Sequence, residues 1–388
     1  MSNELGDIGE LLRKAREGAG MTQASVATKL GVARTTLVAI EQGSRRARTE
    51  ELQTLASLYG TSLNALLRQE AVTVDLRPRF RRAGEDDKDV EKSAAVLTRL
   101  VQAEVELENL LGIRRARHDP PERPILPGNV LVQAEQDAAE LRQWLGLALA
   151  PIHDMISLLE LQIGARVFVR PLPHAIAGLY AFDDAVGACI LLNAHHPRAR
   201  RTQTGGHELG HLISTRRSPD ALYDGCLEST REERYANAFG RYFLAPARAV
   251  LAKFQEITAG STKLTRRHII LLAHYFGISR EAAVRRLEEL RLTRPGTWEW
   301  FADNGGITDE QAKEVLGSAA VNDPERADAN RPMSIRLSGL ASEAWRRNLL
   351  SEGQLARLLD IDRVEAREII DEFEAEGVIA EKSPWLLD

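Results

Sequence analysis

Apolar residues in the first part of the chain recur at helical spacing, without the alternation that is typical of strands. Residues 1 to about 70 form short amphipathic segments separated by glycine-containing turns, which predicts a small bundle of helices. The charged stretch 77–89 then has the composition of a linker. Apolar positions return at helical spacing from Val90 to Leu111, which predicts one long connecting helix that ends before the prolines of 119–127.

Strand-like patterns appear only in the middle of the chain. Two predicted helices, at about 134–145 and 152–163, precede three predicted strands at 166–172, 178–182 and 187–193. A tight turn at 183–185 is expected to join the last two strands. From residue 200 to about 291 the pattern is helical again, and two more helices are predicted between about 340 and 376. These patterns predict a multidomain, mainly α-helical chain with one small sheet.

The composition is ordinary, and it therefore excludes few classes of protein. With 388 residues the chain is too long for one compact core, and we expect two or three domains. No apolar run is long enough to span a bilayer, and the polar N-terminus is unlike a signal peptide. No membrane partner is therefore expected. Cys189 and Cys226 lack the spacing of a metal or redox pair, which favours a cytoplasmic protein. Any metal site must then use histidines and carboxylates.

A local pattern in residues 21–41 indicates DNA binding, although the net charge of −5 gives no such indication for the whole chain. Thr22 can cap a first helix, and Gly31 can adopt the left-handed conformation of the following turn. The next helix points three side chains outward at the end that meets base edges in the major groove: Arg34, Thr35 and Thr36. The remaining predicted contacts, mainly to phosphates, are Gln23, Arg45 and Arg46. The alternative is a helical bundle with a solvated basic loop.

Residues 8–67 resemble the Cro/C1-type (Xre) repressor domain. The matching motifs are Met21-Thr22-Gln23, Leu30-Gly31-Val32 and Ile40-Glu41-Gln42-Gly43. The resemblance implies a five-helix, λ-repressor-like domain that binds double-stranded operator DNA, usually as a dimer.

A second pattern, His207-Glu208-Leu209-Gly210-His211, indicates a metal site. On a helix the two histidines differ by only about 40° in direction, so both imidazoles can reach one ion. Glu208 can then act as the general base for a water at the open position of that ion. A third protein ligand is expected from the following amphipathic helix, where Glu233 is preferred and Glu232 is the fallback. The alternative is a helix with two solvent-facing histidines.

Beyond this motif, residues 134–290 resemble the ImmA/IrrE family of metallopeptidases. Further matches include Gly164-Ala165-Arg166-Val167, Ile190-Leu191-Leu192-Asn193, Ala236-Asn237 and Phe276-Gly277-Ile278-Ser279. The resemblance implies a small zincin-like α+β domain. The expected ion is Zn²⁺, and Mn²⁺ is the alternative activating ion. Some members of this family cleave a helix-turn-helix repressor. Gly205-Gly206 and Leu244-Ala245-Pro246 depart from the usual family residues, and we expect the glycine pair to loosen the start of the motif helix.

Some features of the sequence leave their role open. Three tyrosines could each stabilise an oxyanion, and the sequence does not choose among Tyr223, Tyr235 and Tyr242. The remaining histidines are expected to be structural, and Cys226 is expected to be an inert thiol. Residues 350–362 have the rhythm of a second helix-turn-helix, but the helix that follows is acidic. We therefore expect the C-terminal tail to serve packing or dimerisation.

Together these patterns predict four parts of the chain. They are a DNA-binding domain at 1–70, a charged linker and connecting helix at 71–133, a zinc metallopeptidase domain at 134–295, and a helical C-terminal domain at 296–388. The predicted function is a homodimeric transcriptional regulator whose endopeptidase domain cleaves a repressor, itself or a partner, in a stress or mobile-element response. Two alternatives stay open: a zincin-like domain that senses a ligand or metal without proteolysis, and a peptidase whose N-terminal domain only docks on a DNA-binding substrate.

Overall fold

The N-terminal part of the chain is a bundle of short helices with its own apolar core. The computed structural model describes residues 2–59, 74–77, 80, 88–223, 230–261, 263–317 and 334–380, without the side chains of 2–7, 49 and 372–380. The bundle consists of α1 (Ser2–Gly18), α2 (Gln23–Leu30), α3 (Arg34–Glu41) and α4 (Thr49–Tyr59). A fifth helix after α4, and most of the predicted linker, would fall on residues outside these ranges.

Local interactions explain where the helices of this bundle begin, end and cross. The Thr22 hydroxyl accepts a hydrogen bond from the backbone N–H of Ser25 and caps α2, and Gly31 with φ 71° ends that helix. A Cβ on Gly9 would lie 2.6 Å from the backbone oxygens of Ile40 and Glu41, so only glycine allows α1 to approach α3 this closely. The core between the helices is formed by Leu12, Val26, Ala27, Leu37, Ile40, Leu55, Ala56 and Tyr59.

A four-stranded sheet organises the middle of the chain. Its strands are β1 (Arg166–Arg170), β2 (Ile176–Asp183), β3 (Gly187–Asn193) and β4 (Asp220–Tyr223), in the spatial order β1-β3-β2-β4. β1 is parallel to β3, whereas β2 is antiparallel to both β3 and β4. In the β2–β3 turn the Asp183 carboxylate accepts a hydrogen bond from the N–H of Ala185 at 2.8 Å. In this strand order β4 is the outer strand next to β2, among the residues that the structure describes.

Helices cover both faces of this sheet, which is why β1 and β3 are buried along their whole length. One face presents Val167, Tyr180 and Ile190 to a core shared with α6 (Val130–Trp144), α7 (Arg198–Ser214) and α8 (Arg231–Leu244). Between α6 and β1 lie a short helix, Met155–Ser157, and a π-helix, Leu158–Ile163. Five further helices extend this layer: α9 (Ala247–Ile257), α10 (Arg266–Phe276), α11 (Arg280–Glu289), α12 (Thr297–Asp303) and α13 (Asp309–Leu316).

The opposite face of the sheet packs against the connecting helix and the C-terminal helices. These are α5 (Lys88–Leu111), α14 (Ile335–Arg346), α15 (Glu352–Leu359) and α16 (Arg363–Ala380). Phe168, Leu179 and Leu191 alternate in sequence with the residues of the first face and join the core beneath α5. A buried cluster of charges also joins α5 to β1 and α14, and Glu108 accepts hydrogen bonds there from both Arg166 and Arg336.

The predicted fold class is confirmed: a mainly helical chain with an N-terminal helix-turn-helix region and one small mixed sheet. The helical prediction for residues 220–223 is wrong, because the edge of β2 supplies backbone hydrogen-bond partners and Pro219 interrupts a helical run. The expected loosening at Gly205-Gly206 is also wrong, since α7 begins seven residues earlier at Arg198 and continues through both glycines. No helix in the part of the chain described here is long and apolar enough to cross a membrane.

Candidate metal centre and DNA-binding surface

The motif helix α7 places the two predicted histidine ligands side by side. His207 and His211 are almost fully buried, and their Nε2 atoms lie 3.0 Å apart. The Nδ1 atom of His207 lies 3.0 Å from Oδ1 of Asn237, and that of His211 lies 3.0 Å from the hydroxyl of Thr215. An N–H at Nδ1 of His207, donated to the amide oxygen of Asn237, would leave its Nε2 with a lone pair for an ion.

The helix α8 carries Glu233 to the same place. The Thr230 hydroxyl caps α8 by accepting a hydrogen bond from the backbone N–H of Glu233 at 3.2 Å. Small residues let α7 and α8 cross closely. A Cβ on Gly206 would lie 3.2 Å from Cα of Gly240, and the same atom on Gly240 would lie 2.9 Å from the carbonyl carbon of Gly206. The crossing brings the Glu233 carboxylate within 3.6 Å of Nε2 of His207 and 3.4 Å of Nε2 of His211.

A fourth side chain reaches this centre from the sheet. Asp220, the first residue of β4, has Oδ2 at 3.7 Å from Nε2 of His207 and 3.6 Å from Nε2 of His211. The sequence analysis missed this residue, because 220–223 was assigned to a helix. The break at Ser218-Pro219 was the available signal that the helical run had ended.

The four side chains form a possible metal-binding group. One donor atom from each of His207, His211, Asp220 and Glu233 lies within 4.8 Å of the others. Zinc–ligand bonds of about 2.0–2.1 Å imply tetrahedral edges of about 3.3 Å. The separations of 3.0–3.7 Å between the histidine nitrogens and their neighbours are close to that value. Two imidazole nitrogens held this near to each other, with two carboxylates facing them, suit a bound divalent cation.

Glu208 lies inside the fold beside this group. It is fully buried, and neither of its carboxylate oxygens has a hydrogen-bond partner in the described part of the chain. Burial raises the pKa of Glu208 well above its usual range, and the charges of Asp220 and Glu233 raise this pKa further. Room for the carboxylate comes from β2, where a Cβ on Gly178 would lie 3.1 Å from Oε1 of Glu208. Glu208 is therefore a buried carboxyl beside the metal-binding group, with a pKa above its usual range.

The three tyrosines that the sequence could not separate occupy different environments. The hydroxyl of Tyr235 is buried and donates to Asp137 at 2.8 Å, and the ring of Tyr242 lies 4.2 Å from the guanidinium of Arg286. Tyr223 lies on β4, three residues after Asp220. Burial raises the pKa of Cys189 to about 12, which makes it an unreactive thiol, and Cys226 lies outside the described residues.

On the predicted DNA-binding surface, Arg34 and Thr35 are exposed at the N-terminal end of α3, and Thr36 is half-buried. Gln23 donates from its side-chain amide to Glu41 at 2.9 Å, and Glu41 also holds the buried Arg16. Of the two predicted phosphate ligands, Arg45 forms an ion pair with Glu51 at 2.9 Å, whereas Arg46 is exposed.

Two separate parts of the chain match known protein families. Residues 161–288 match the M78 peptidase family, described as the IrrE N-terminal-like domain, and residues 12–66 match the helix-turn-helix family. The chain joins a helix-turn-helix domain to an IrrE-like peptidase-family domain. The predicted fusion is thus confirmed. The IrrE-like match contains Glu208 and all four donors of the possible metal-binding group.

Other comparisons add little about the IrrE-like domain. A search of curated proteins finds no match. Among solved structures, ComR from Streptococcus suis matches over 97% of this chain and 95% of that chain, with 11% identity. The TM-score is 0.15, so this likeness carries no argument about the fold.

Proposed function

We propose that this chain is a DNA-binding transcriptional regulator whose IrrE-like domain is a zinc-dependent endopeptidase. The observation that carries the proposal is the placement of His207, His211 and Glu233 around one point, with the unpaired carboxyl of Glu208 beside them. Two histidines and a carboxylate are a ligand set of catalytic zinc sites, and Mn²⁺ is a second candidate ion.

Each residue of the centre has a defined role in peptide hydrolysis under this proposal. When bound, zinc polarises the peptide carbonyl and lowers the pKa of a water toward about 7. Glu208 would take a proton from an attacking water and pass it to the leaving amine. Asn237 and Thr215 hold the rings of His207 and His211 in orientation through their Nδ1 atoms.

The sheet offers a place for an extended peptide next to this centre. β4 pairs with β2, and it is the outer strand on that side within the described residues. Its outer edge can bind an extended strand by backbone hydrogen bonds, which is the conformation that exposes peptide carbonyls to attack. The proposed protein substrate is a helix-turn-helix repressor or, within this chain, the charged segment 77–88.

The N-terminal domain supports the DNA-binding half of the proposal. Arg34 and Thr35 are exposed where a recognition helix meets base edges, and Arg46 is exposed for a phosphate contact. We infer that the operator is double-stranded DNA bound by a homodimer, and that the protein acts in the cytoplasm. Cleavage would then separate DNA binding from the rest of the chain in a stress or mobile-element response.

The experiment that tests this function follows zinc content and proteolysis together. Purified full-length protein is expected to hold about one zinc ion per chain, and His207→Ala is expected to lose it. Incubation with zinc or manganese, alone or with a candidate repressor, is expected to give a defined fragment. Glu208→Gln should abolish the fragment while zinc stays bound. Cleavage that persists in Glu208→Gln would contradict the assigned base and indicate a contaminating protease.

A second candidate function is metal or ligand sensing without proteolysis. The presence of Asp220 as a fourth possible donor favours it, because zinc sites with four protein ligands are closed to water. Stoichiometric zinc with no cleavage of any repressor would move the assignment to this candidate.

A further inference from the structure

Asp220 faces the metal centre in the same way as Glu233 does. Its Oδ2 lies 3.6–3.7 Å from the two Nε2 atoms, and the carboxylate of Glu233 lies 3.4–3.6 Å from the same two atoms. The two carboxylate side chains are 17% and 23% exposed. By distance and by burial, both carboxylates are therefore placed as ligands.

The ring nitrogen nearest to Asp220 shows whether this residue is placed as a metal ligand or as a residue that only orients a histidine. A carboxylate that only orients a metal-bound histidine accepts a hydrogen bond from the ring nitrogen that does not bind the metal. In this protein those nitrogens, the two Nδ1 atoms, already lie 3.0 Å from Asn237 and Thr215. Asp220 lies instead on the Nε2 side of both rings, where an ion would be bound.

The immediate surroundings of Asp220 point the same way. Its Oδ2 atom is buried and has no hydrogen-bond partner among the residues that the structure describes. A buried carboxylate oxygen without a donor is costly, and a cation at this point would satisfy it. The residue is held in place by β4, whose first position pairs with Tyr180 of β2.

We propose that Asp220 is a fourth protein ligand that closes the metal centre when no substrate is bound. The inference rests on the proposed function, since it requires the metal. With His207, His211, Glu233 and Asp220 all bound, the ion has no open position for a water or a carbonyl. Asp220 must therefore leave before peptide hydrolysis can begin, and it acts as an aspartate switch.

The position of Asp220 on β4 explains how a substrate would open the centre. A peptide strand that pairs with the outer edge of β4 runs past Asp220, the first residue of that strand. Its carbonyl then competes with the Asp220 carboxylate for the same position. The resting regulator is closed, and only a peptide that pairs with β4 along its length provides enough binding energy to displace the carboxylate.

Metal affinity and access by a small ligand test this inference without any measurement of activity. Full-length wild type, Asp220→Ala and Asp220→Asn are stripped of metal and loaded with Zn²⁺ or Co²⁺, and circular dichroism checks that each is folded. Chelator competition should show that Asp220→Ala lowers zinc affinity by about 100-fold, since even outer-shell partners contribute about 10–100-fold. The visible spectrum of bound Co²⁺ should change, and acetohydroxamate should bind the metal about 10-fold more tightly than in wild type.

A matched control removes the same charge elsewhere on the sheet. Asp184 lies in the β2–β3 turn and is 78% exposed, so Asp184→Asn should leave metal and hydroxamate affinities unchanged. If Asp220→Ala and Asp220→Asn both bind zinc and hydroxamate as wild type does, Asp220 is not a ligand, and the proposed peptidase stands. If wild type itself binds no stoichiometric zinc, the proposed function fails and the inference fails with it.

Discussion

A Cβ atom on Gly210 would lie 2.8 Å from Cα of Ala236, so α7 and α8 touch backbone to backbone beside the metal centre. Ala236 follows Glu233 by one helical turn, and the crossing therefore determines how far the Glu233 carboxylate is from the histidines. We expect Gly210→Ala to push the helices apart and to lower zinc affinity by about 10–100-fold. The free energy of unfolding should fall by about 1–3 kcal/mol, as in other overpacked cores.

Chelator competition and urea unfolding measure these two effects. The matched control is Gly18→Ala, since a Cβ at Gly18, the last residue of α1, has nothing within 4 Å. That change should leave zinc affinity unaltered and stability equal or slightly higher. Wild-type zinc affinity in Gly210→Ala would show that the close crossing does not position Glu233.

Sequence preference for DNA and overall affinity should depend on different arginines. Arg34, exposed at the start of α3, is expected to read a base, so Arg34→Ala should cost about 1–3 kcal/mol on operator DNA and little on random DNA. Arg46→Ala should weaken both DNAs alike and reduce the salt slope by about 1. Fluorescence anisotropy across a salt series separates the two effects, and Arg357→Ala on the exposed side of α15 is the control. Equal losses on both DNAs for Arg34→Ala would contradict the groove assignment.

The sequence was sufficient for the parts of the centre that lie on one helix, since the spacing of His207 and His211 determines their relative direction. Glu233 could be inferred because α8 follows with a clear amphipathic pattern and the small Ala236. Asp220 could not be found in this way, because its position depends on pairing between β4 and β2, whose nearest paired residues, Tyr180 and Asp220, are 40 positions apart in the sequence. Short edge strands owe their conformation to the neighbouring strand, which local patterns do not reveal.

Local patterns also predicted the connecting helix α5 without showing what it packs against. Its apolar spacing from Val90 to Leu111 predicted a helix, but nothing in that spacing identifies the partner surface. The structure packs it on the sheet with Phe168 and Leu191, where residues more than 50 positions apart in the sequence meet. The burial of Glu104 and Glu108 on α5 could not be predicted either, because their spacing is that of ordinary solvated helix residues. Only the fold places Arg166 and Arg336 beside them.

The stability of the helix-turn-helix domain should depend on pH through Glu51. Burial alone would raise the pKa of Glu51, but hydrogen bonds from the Arg45 side chain and the Arg48 N–H lower it below its usual range. The ionised carboxylate therefore stabilises the fold above the unfolded pKa of about 4.3, and this contribution is lost as the pH falls through the folded pKa. Its size should be at most about 1 kcal/mol, because Arg45 is partly exposed.

Urea unfolding of full-length protein at pH 7 and pH 3.5 tests this dependence. Glu51→Gln should lower the free energy of unfolding of the helix-turn-helix domain at pH 7. The unfolding transition of this domain should also be less sensitive to acid than in wild type. Glu50→Gln, a change at the exposed neighbouring residue, should leave the pH dependence as it is. An unchanged acid sensitivity in Glu51→Gln would contradict the pairing with Arg45.

Glu108 should be the residue that joins the connecting helix, the sheet and the C-terminal helices most strongly. It accepts hydrogen bonds from Arg166 at 2.7 and 3.2 Å and from Arg336 at 3.0 and 3.2 Å. Glu108→Ala would leave the buried Arg166 with one carboxylate fewer, and breaking such a buried network costs about 3–5 kcal/mol. Because the cluster lies on the face of the sheet opposite α7, zinc affinity of the folded variant should be unchanged. Protease sensitivity of the C-terminal helices and urea unfolding measure the loss, with Arg217→Ala in an exposed ion pair as the control, expected to cost about 0–1 kcal/mol. A Glu108→Ala variant as stable as this control would mean that Glu108 is not needed to hold the C-terminal helices on α5, and that apolar residues such as Leu337 and the remaining Glu104 pairs are sufficient.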